Sequence, residues 1–179
     1  MKQIKLKDKV FEVSIPSKKI QQSVTKVAQK INQDYKDKNV PLFISILNGS
    51  FMFTADLLKQ IDFNCEITFL KLSSYHGTTT TGNVKQLIGI NEKISGRDII
   101  VLEDIVDTGI TLEQIVKELN KFGANSVKIT TLLLKPEAYD KDIAIDYVGM
   151  EIPNDFIIGY GLDYDGLGRN LPDIYTLKS

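Results

Sequence analysis

The sequence predicts an α/β protein with a mostly parallel central sheet flanked by helices, and three observations carry that expectation. Residues 99–102, Ile-Ile-Val-Leu, form a short, largely β-branched run, the composition of a strand buried on both faces of a parallel sheet. The run stops at Glu103 and Asp104, which places two acids at the carboxyl end of a central strand, the edge where open α/β sheets bind ligands. Asp107-Thr108-Gly109-Ile110-Thr111 then leads into Leu112, Ile115, Val116, Leu119 and Phe122 at the spacing of an amphipathic helix.

The remaining elements follow the same logic. Ile4, Leu6, Val10, Phe11, Val13 and Ile15 alternate around a polar Lys7-Asp8-Lys9 turn, which predicts a hairpin outside the main sheet. Pro16 stops the second strand, Ser17 is placed to cap a helix, and Ile20, Val24, Val27, Ile31 and Tyr35 define its buried face. Residues 40–47 read as the first buried strand, Asn48-Gly49-Ser50 as a tight turn, and Phe51, Phe53, Leu57, Leu58 and Ile61 as the helix after it. Phe63 to Leu72 is β-rich, Val84 to Ile90 returns as a strand, and Ser126 to Leu134 is another long buried run after a helix stop at Gly123-Ala124-Asn125.

Composition bounds the function. With 179 residues, 42% of them hydrophobic and 25% charged, the chain is expected to form one domain that needs no disulfide or structural metal. The net charge of −1 supplies no global basic field for nucleic acid or a membrane surface. No apolar run of about 18 residues is present and the charged amino terminus lacks the core of a secretion signal, which suits a cytoplasmic protein. Cys65 is the only cysteine and reads as a buried, inert thiol; His76 is the only histidine and reads as exposed and incidental.

The acidic segment carries the chemistry. A Thr-Gly-Thr loop entering a helix offers free backbone N–H groups, hydroxyls and the positive end of the helix dipole, a seat for a phosphate. Carboxylates beside such a seat make sense if they accept from sugar hydroxyls, handle a proton or lie near a divalent cation. A ribose with a phosphate at one end and a magnesium-bound pyrophosphate at the other has all those parts. Capping by Asp107, Thr108 or Thr111 alone is the simpler alternative, and Thr111 to Gln114 matches a capping box. It leaves the adjacent acids unexplained, and a cap is compatible with ligand binding.

Val-Leu-Glu-Asp-Ile-Val-Asp-Thr-Gly-Ile-Thr resembles the phosphoribosyl-diphosphate signature of the type I phosphoribosyltransferases, and most closely their purine-salvage, hypoxanthine-guanine branch. Similarity extends over roughly residues 40–175 in four separated motifs. It implies the type I phosphoribosyltransferase fold, with a core over about 35–150, a small hood formed by the chain termini (about 1–15 and 151–179) and a mobile lid over about 73–84 bearing Ser74 and Tyr75.

The resemblance also implies roles. Asp107 would be the catalytic base, Glu103, Asp104, Thr108, Gly109, Ile110 and Thr111 would bind the phosphoribosyl group, and Asn48, Gly49 and Arg169 the pyrophosphate. Lys135 would donate to the purine 6-oxo group, Phe156 would stack on the base and Ile157 would read its edge, with Asp163 grouped beside them. Glu103, Asp104 and Asp163 would hold Mg2+. Without the resemblance, Lys135 is a solvent-facing strand-end lysine, Phe156 a core residue, Asp163 a turn acid and Arg169 half of a surface ion pair. The family peptide bond entering the Asn48 turn is often cis, and Asn48 stands where some members carry lysine.

The implied function is transfer of the 5-phosphoribosyl group from phosphoribosyl diphosphate to N9 of hypoxanthine, and of guanine, giving IMP or GMP and pyrophosphate. A homodimer or homotetramer is implied by the family alone. Two alternatives stay open at this point: the same transfer to another base such as xanthine, and a regulator on this fold that senses nucleotide without turnover.

Overall fold

The computed structural model describes residues 2–36, 39–73, 85–88 and 92–178. The chain runs β1 (Gln3–Leu6), β2 (Lys9–Ile15), α1 (Ser17–Tyr35), β3 (Leu42–Leu47), α2 (Phe51–Leu58), β4 (Glu66–Ser73) and β5 (Lys85–Ile88). It continues through β6 (Asp98–Val106), α3 (Ile110–Lys121), β7 (Ser126–Leu134), β8 (Tyr147–Glu151), β9 (Ile157–Ile158) and β10 (Ile174–Leu177).

Six strands form the central sheet in the order β5-β4-β3-β6-β7-β8. The five from β4 to β8 are parallel and β5 closes the edge antiparallel to β4. Both faces are covered, which accounts for the near-continuous apolar strands. Ile20, Val24, Val27 and Ile31 of α1 join Phe53 and Leu57 of α2 over Phe43, Ile100 and Leu102 on one face. Leu112, Ile115 and Leu119 of α3 cover Ile44, Ile99, Val101 and Ile129 on the other. The second sheet, β1-β2-β10-β9, is antiparallel and joins the amino-terminal hairpin to strands from the carboxyl-terminal segment.

Several local expectations need correction. β6 does not stop at the acids: it pairs with β7 through Glu103↔Thr131, Ile105↔Leu133 and Val106↔Leu134, so Glu103 and Asp104 lie inside the strand. A neighbour that continues in parallel outweighs the low strand preference of two acids. Thr111 is not a cap, because α3 starts from Gly109 in the left-handed region (φ 76°) with no side-chain cap. Ser17 does not cap α1 either. Pro16 takes the cap position, and the Ser17 N–H donates to Asp173 Oδ1 at 2.8 Å.

β8 is an additional strand that the sequence pattern does not mark, with a glycine at its centre. A Cβ at Gly149 would crowd the Leu132 carbonyl, so the residue that hides the strand also lets it pack on β7. The expected lid residues Ser74 and Tyr75, and His76, lie outside the described residues. Among the described residues no helix is long and apolar enough to cross a membrane.

Asp173 satisfies an orphan donor of α1 from a distant segment, and that N–H, ahead of the Lys2 ammonium, holds its carboxyl below the usual range. Asp173→Ala is expected to lower the unfolding free energy by about 0.5–2 kcal/mol, seen as a lower urea midpoint at unchanged slope.

Candidate active site

The site begins with strands of unequal reach. β3 pairs with β6 only from Ile99 to Leu102, whereas β7 follows β6 to Val106. Beyond Leu102 the turn after β3 lies against the acids, and a Cβ at Gly49 would overlap the Asp104 carboxylate. A cavity of about 300 Å³ opens there, lined by Ile46, Leu47, Gly49 and residues 103–112.

Two of its acids are desolvated. Glu103 is only 8% exposed, and burial, with the Asp104 charge second, pushes its carboxyl well above the usual carboxylate range. Burial pushes Asp104 up to about 6, against the pull of its own and the Ile105 backbone N–H groups and of Arg169. Among the described residues neither has a salt-bridge partner.

These hard oxygen donors fit Mg2+, which accepts one or two carboxylates and completes its shell with water and substrate oxygens. Among the described residues no three His, Cys, Asp or Glu side chains could hold a metal by themselves. Glu103, Asp104 and Asp163 therefore do not form a closed cage; Asp163 pairs instead with Arg169 Nη2 at 2.5 Å and accepts from the Gly166 N–H at 2.7 Å.

Asp107 is half exposed at the cavity mouth, and Lys135 Nζ donates to its Oδ2 at 3.1 Å. Lys135 is not a solvent-facing lysine: it is 8% exposed, directly follows β7, and its N–H donates to the Val106 carbonyl at 3.0 Å. Thr108, Ile110 and Thr111 are exposed where α3 begins, next to first-turn N–H groups that a helix leaves without internal partners. Gly109 is required twice there, by its φ and by the Tyr139 ring that a Cβ would strike.

Asn48 is exposed at the apex of the opposite turn, which is entered through a cis Leu47–Asn48 peptide bond. Beneath it the buried hydroxyls of Ser45, Ser50 and Thr54 form a chain with 2.8 Å links. Arg169 reaches the same turn indirectly: its Nη1 donates to the Gly161 carbonyl at 2.7 Å, and a Cβ at Gly161 would overlap the Gly49 carbonyl oxygen.

Ile157 belongs to the second sheet, paired to Thr176, and Phe156 directly precedes it, its carbonyl accepting from the Leu177 N–H at 3.1 Å. The chain reaches them past Lys135, since the Ile152 N–H donates to the Leu134 carbonyl at 2.9 Å. Phe156 is not a core residue: its ring is 48% exposed and meets Phe11 at 6.3 Å and Tyr164 edge-on at 5.9 Å. Lys9 Nζ lies 5.6 Å from the Phe156 centroid and 4.9 Å from that of Tyr164, whose hydroxyl donates to Asp8 at 2.8 Å. Sequence reasoning missed Lys9, Asp8 and Tyr164 as neighbours of Phe156, because only tertiary pairing brings the hairpin turn to that loop.

The phosphoribosyl transferase domain model matches residues 16–165. A hypoxanthine-guanine phosphoribosyltransferase of Streptococcus agalactiae is 50% identical over 150 residues, 83% of each chain. One from Staphylococcus epidermidis is 44% identical over 168 residues, 93% of each. Among solved structures, a hypoxanthine-guanine phosphoribosyltransferase from Bacillus anthracis superposes with a TM-score of 0.86 at 38% identity, covering 94% of this chain and 97% of that one. A hypoxanthine phosphoribosyltransferase from Staphylococcus aureus gives 0.85 at 43% identity, over 93% and 91%.

An acid whose folded pKa is raised weakens folding as pH climbs past its unfolded value near 4, and for Asp104 that cost is complete above about 6. Without divalent cation, Asp104→Asn is therefore expected to raise the Tm at pH 7, by roughly 2–4 °C for each kcal/mol of relieved desolvation. The gain fades as the pH is lowered to about 4, a trend that scanning calorimetry across that range checks.

Proposed function

The chain belongs to the phosphoribosyl transferase family, and on that premise we propose that it salvages purines. It transfers the 5-phosphoribosyl group of phosphoribosyl diphosphate to N9 of hypoxanthine and guanine, releasing pyrophosphate with IMP or GMP. One observation supports this base class above the rest: Lys135 Nζ and Asp107 Oδ2 stand 3.1 Å apart at the cavity mouth. The O6 and N7 atoms of an oxopurine are neighbours on one edge, roughly 3 Å apart. A cation and a carboxylate at that separation match them as donor to O6 and acceptor from N7–H, whereas adenine would turn an amino donor toward the ammonium.

Each residue then has a task. The N–H groups and hydroxyls of residues 108–111 hold the 5′-phosphate. Glu103 and Asp104 hold the ribose hydroxyls, directly or through Mg2+ and water. Phe156 stacks on the base, worth about 1–3 kcal/mol, and the Ile157 backbone reads its edge. As N9 attacks C1′, Asp107 accepts the N7 proton. Asn48, Gly49 and Arg169 receive the departing pyrophosphate. Bound Mg2+, held by Glu103, Asp104 and Asp163 together with substrate oxygens, would neutralise charge on that leaving group.

In this proposal the second sheet is the hood over the base, and residues 73–84 the lid that keeps water from the reacting sugar. The phosphorylated substrates, which do not cross a bilayer unaided, suit a cytoplasmic enzyme. Ile67 and Phe69, exposed on β4 beside Phe43 and Ser45 of β3, supply an apolar face for a homodimer or homotetramer.

Magnesium-dependent release of pyrophosphate from phosphoribosyl diphosphate with hypoxanthine and guanine, and not with adenine, is the test. Binding without turnover would point to a nucleotide sensor instead, and turnover with xanthine would widen the base class. Asp107→Asn should lower kcat by about 10²- to 10⁴-fold with little change in IMP affinity. In the same base series Lys135→Gln should erode the preference for hypoxanthine over adenine; intact discrimination would remove Lys135 from base selection.

A further inference from the structure

We propose that Tyr160 and Asp56 are a positioning pair that sets the Arg169 loop against the Asn48–Gly49 turn, and thereby the strength with which the site holds pyrophosphate. The inference rests on the phosphoribosyl-transfer function proposed above and concerns residues to which that mechanism gives no task.

Tyr160 is the unusual member of its loop. It lies in the left-handed region (φ 49°) between Gly159 (φ 97°) and Gly161 (φ 102°). Glycine adopts such angles freely; a bulky residue does so at a cost that its surroundings must offset. Here the ring is 2% exposed within the core beneath α1 and α2, and its hydroxyl donates to Asp56 Oδ2 at 2.7 Å. Asp56 is itself braced, by Gln21 Nε2 of α1 at 2.6 Å and by Lys59 Nζ at 2.6 Å. The acceptor is thus fixed before the tyrosine meets it.

The two ends of this contact belong to different parts of the site. Asp56 sits on α2, which begins at the Asn48–Ser50 turn and is tied to β3 by the buried Ser45, Ser50 and Thr54 hydroxyls. Helix and turn therefore move as one body. On the other side Tyr160 is followed by Gly161, whose N–H donates to the Arg169 carbonyl at 2.9 Å and whose own carbonyl receives Arg169 Nη1 at 2.7 Å. Gly161 packs so tightly on the Gly49 carbonyl that no side chain fits between them. The hydroxyl bond and the glycine contact are two attachments between the same two bodies, and two attachments fix an angle that one leaves free. Arg169 rides on that angle. The seat at residues 108–111 and Lys135 hang from α3 and β7, outside the lever.

Tyr160→Phe keeps the ring and deletes the hydroxyl, and with it the 2.7 Å bond to Asp56 and a longer contact from Gln21 Nε2 at 3.4 Å. In the reverse reaction the KM for pyrophosphate should rise about tenfold, while the KM for IMP, which carries no pyrophosphate, stays within about twofold. Calorimetric titration with magnesium pyrophosphate should show the same loss of affinity without any turnover, whereas Asp56→Asn alone, which retains an acceptor for the Tyr160 hydroxyl, should keep most of the wild-type affinity. Tyr147→Phe is the control. It deletes a comparable buried bond, Tyr147 hydroxyl to Asp34 at 2.7 Å, away from the lever, and should lower stability while leaving pyrophosphate binding unchanged. The pairing is overturned if Tyr160→Phe binds pyrophosphate like the wild type, if IMP affinity falls equally, or if Tyr147→Phe weakens pyrophosphate as much. A wild-type protein that transfers no phosphoribosyl group yet binds magnesium pyrophosphate removes the proposed function alone, with calorimetry still deciding the lever; one that binds no pyrophosphate removes both.

Discussion

The parting of β3 from β6 at Leu102 is what the rest of the molecule is arranged around. A parallel strand that lost both neighbours would stop, but β7 keeps β6 extended to Val106, so its last residues are rigid on one side and open on the other. Backbone of the Asn48–Ser50 turn lies along the open side, close enough that Gly49 has no room for a side chain beside Asp104. Closeness of the turn and burial of the acids are therefore one constraint. It converts two carboxylates that would be ordinary in a surface loop into groups deprived of water on a stiff support.

The two acidic positions of the site differ in how their charge is met. Asp107 is half exposed and has Lys135 as an internal partner. Glu103 and Asp104 have no such partner among the described residues, and burial raises both. Folding alone leaves them poorly solvated, a cost that the apolar layers on both faces of the sheet offset. Under the proposed function, ribose hydroxyls and a cation would relieve that cost on binding.

Segments whose meaning is local were readable before any coordinates. The order strand, acids, small loop and helix over residues 99–122 is contiguous, and its periodicity and the fold class survive in the structure. Errors arose where a distant partner decides. The low strand preference of Glu103 and Asp104 hid the extension of β6 because β7 supplies the pairing. Nothing near Ser17 in sequence announces that Asp173 will meet its N–H, and nothing near Phe156 announces Lys9. Side-chain pattern records which face of an element is buried, but not which remote polar group arrives to satisfy it.

The second sheet has a consequence for the order in which the molecule matures. β2 lies between β1 and β10, and β10 alone joins β9, which carries Ile157 directly after Phe156. β10 is translated after every other element described, so the hairpin of β1 and β2 is made long before its inner neighbour, whereas β3, β6 and β7 are all complete by Leu134. The sheet that carries Ile157, directly after Phe156, can close only once its last strand is made, whereas the sheet that holds Glu103 and Asp104 needs nothing beyond β8.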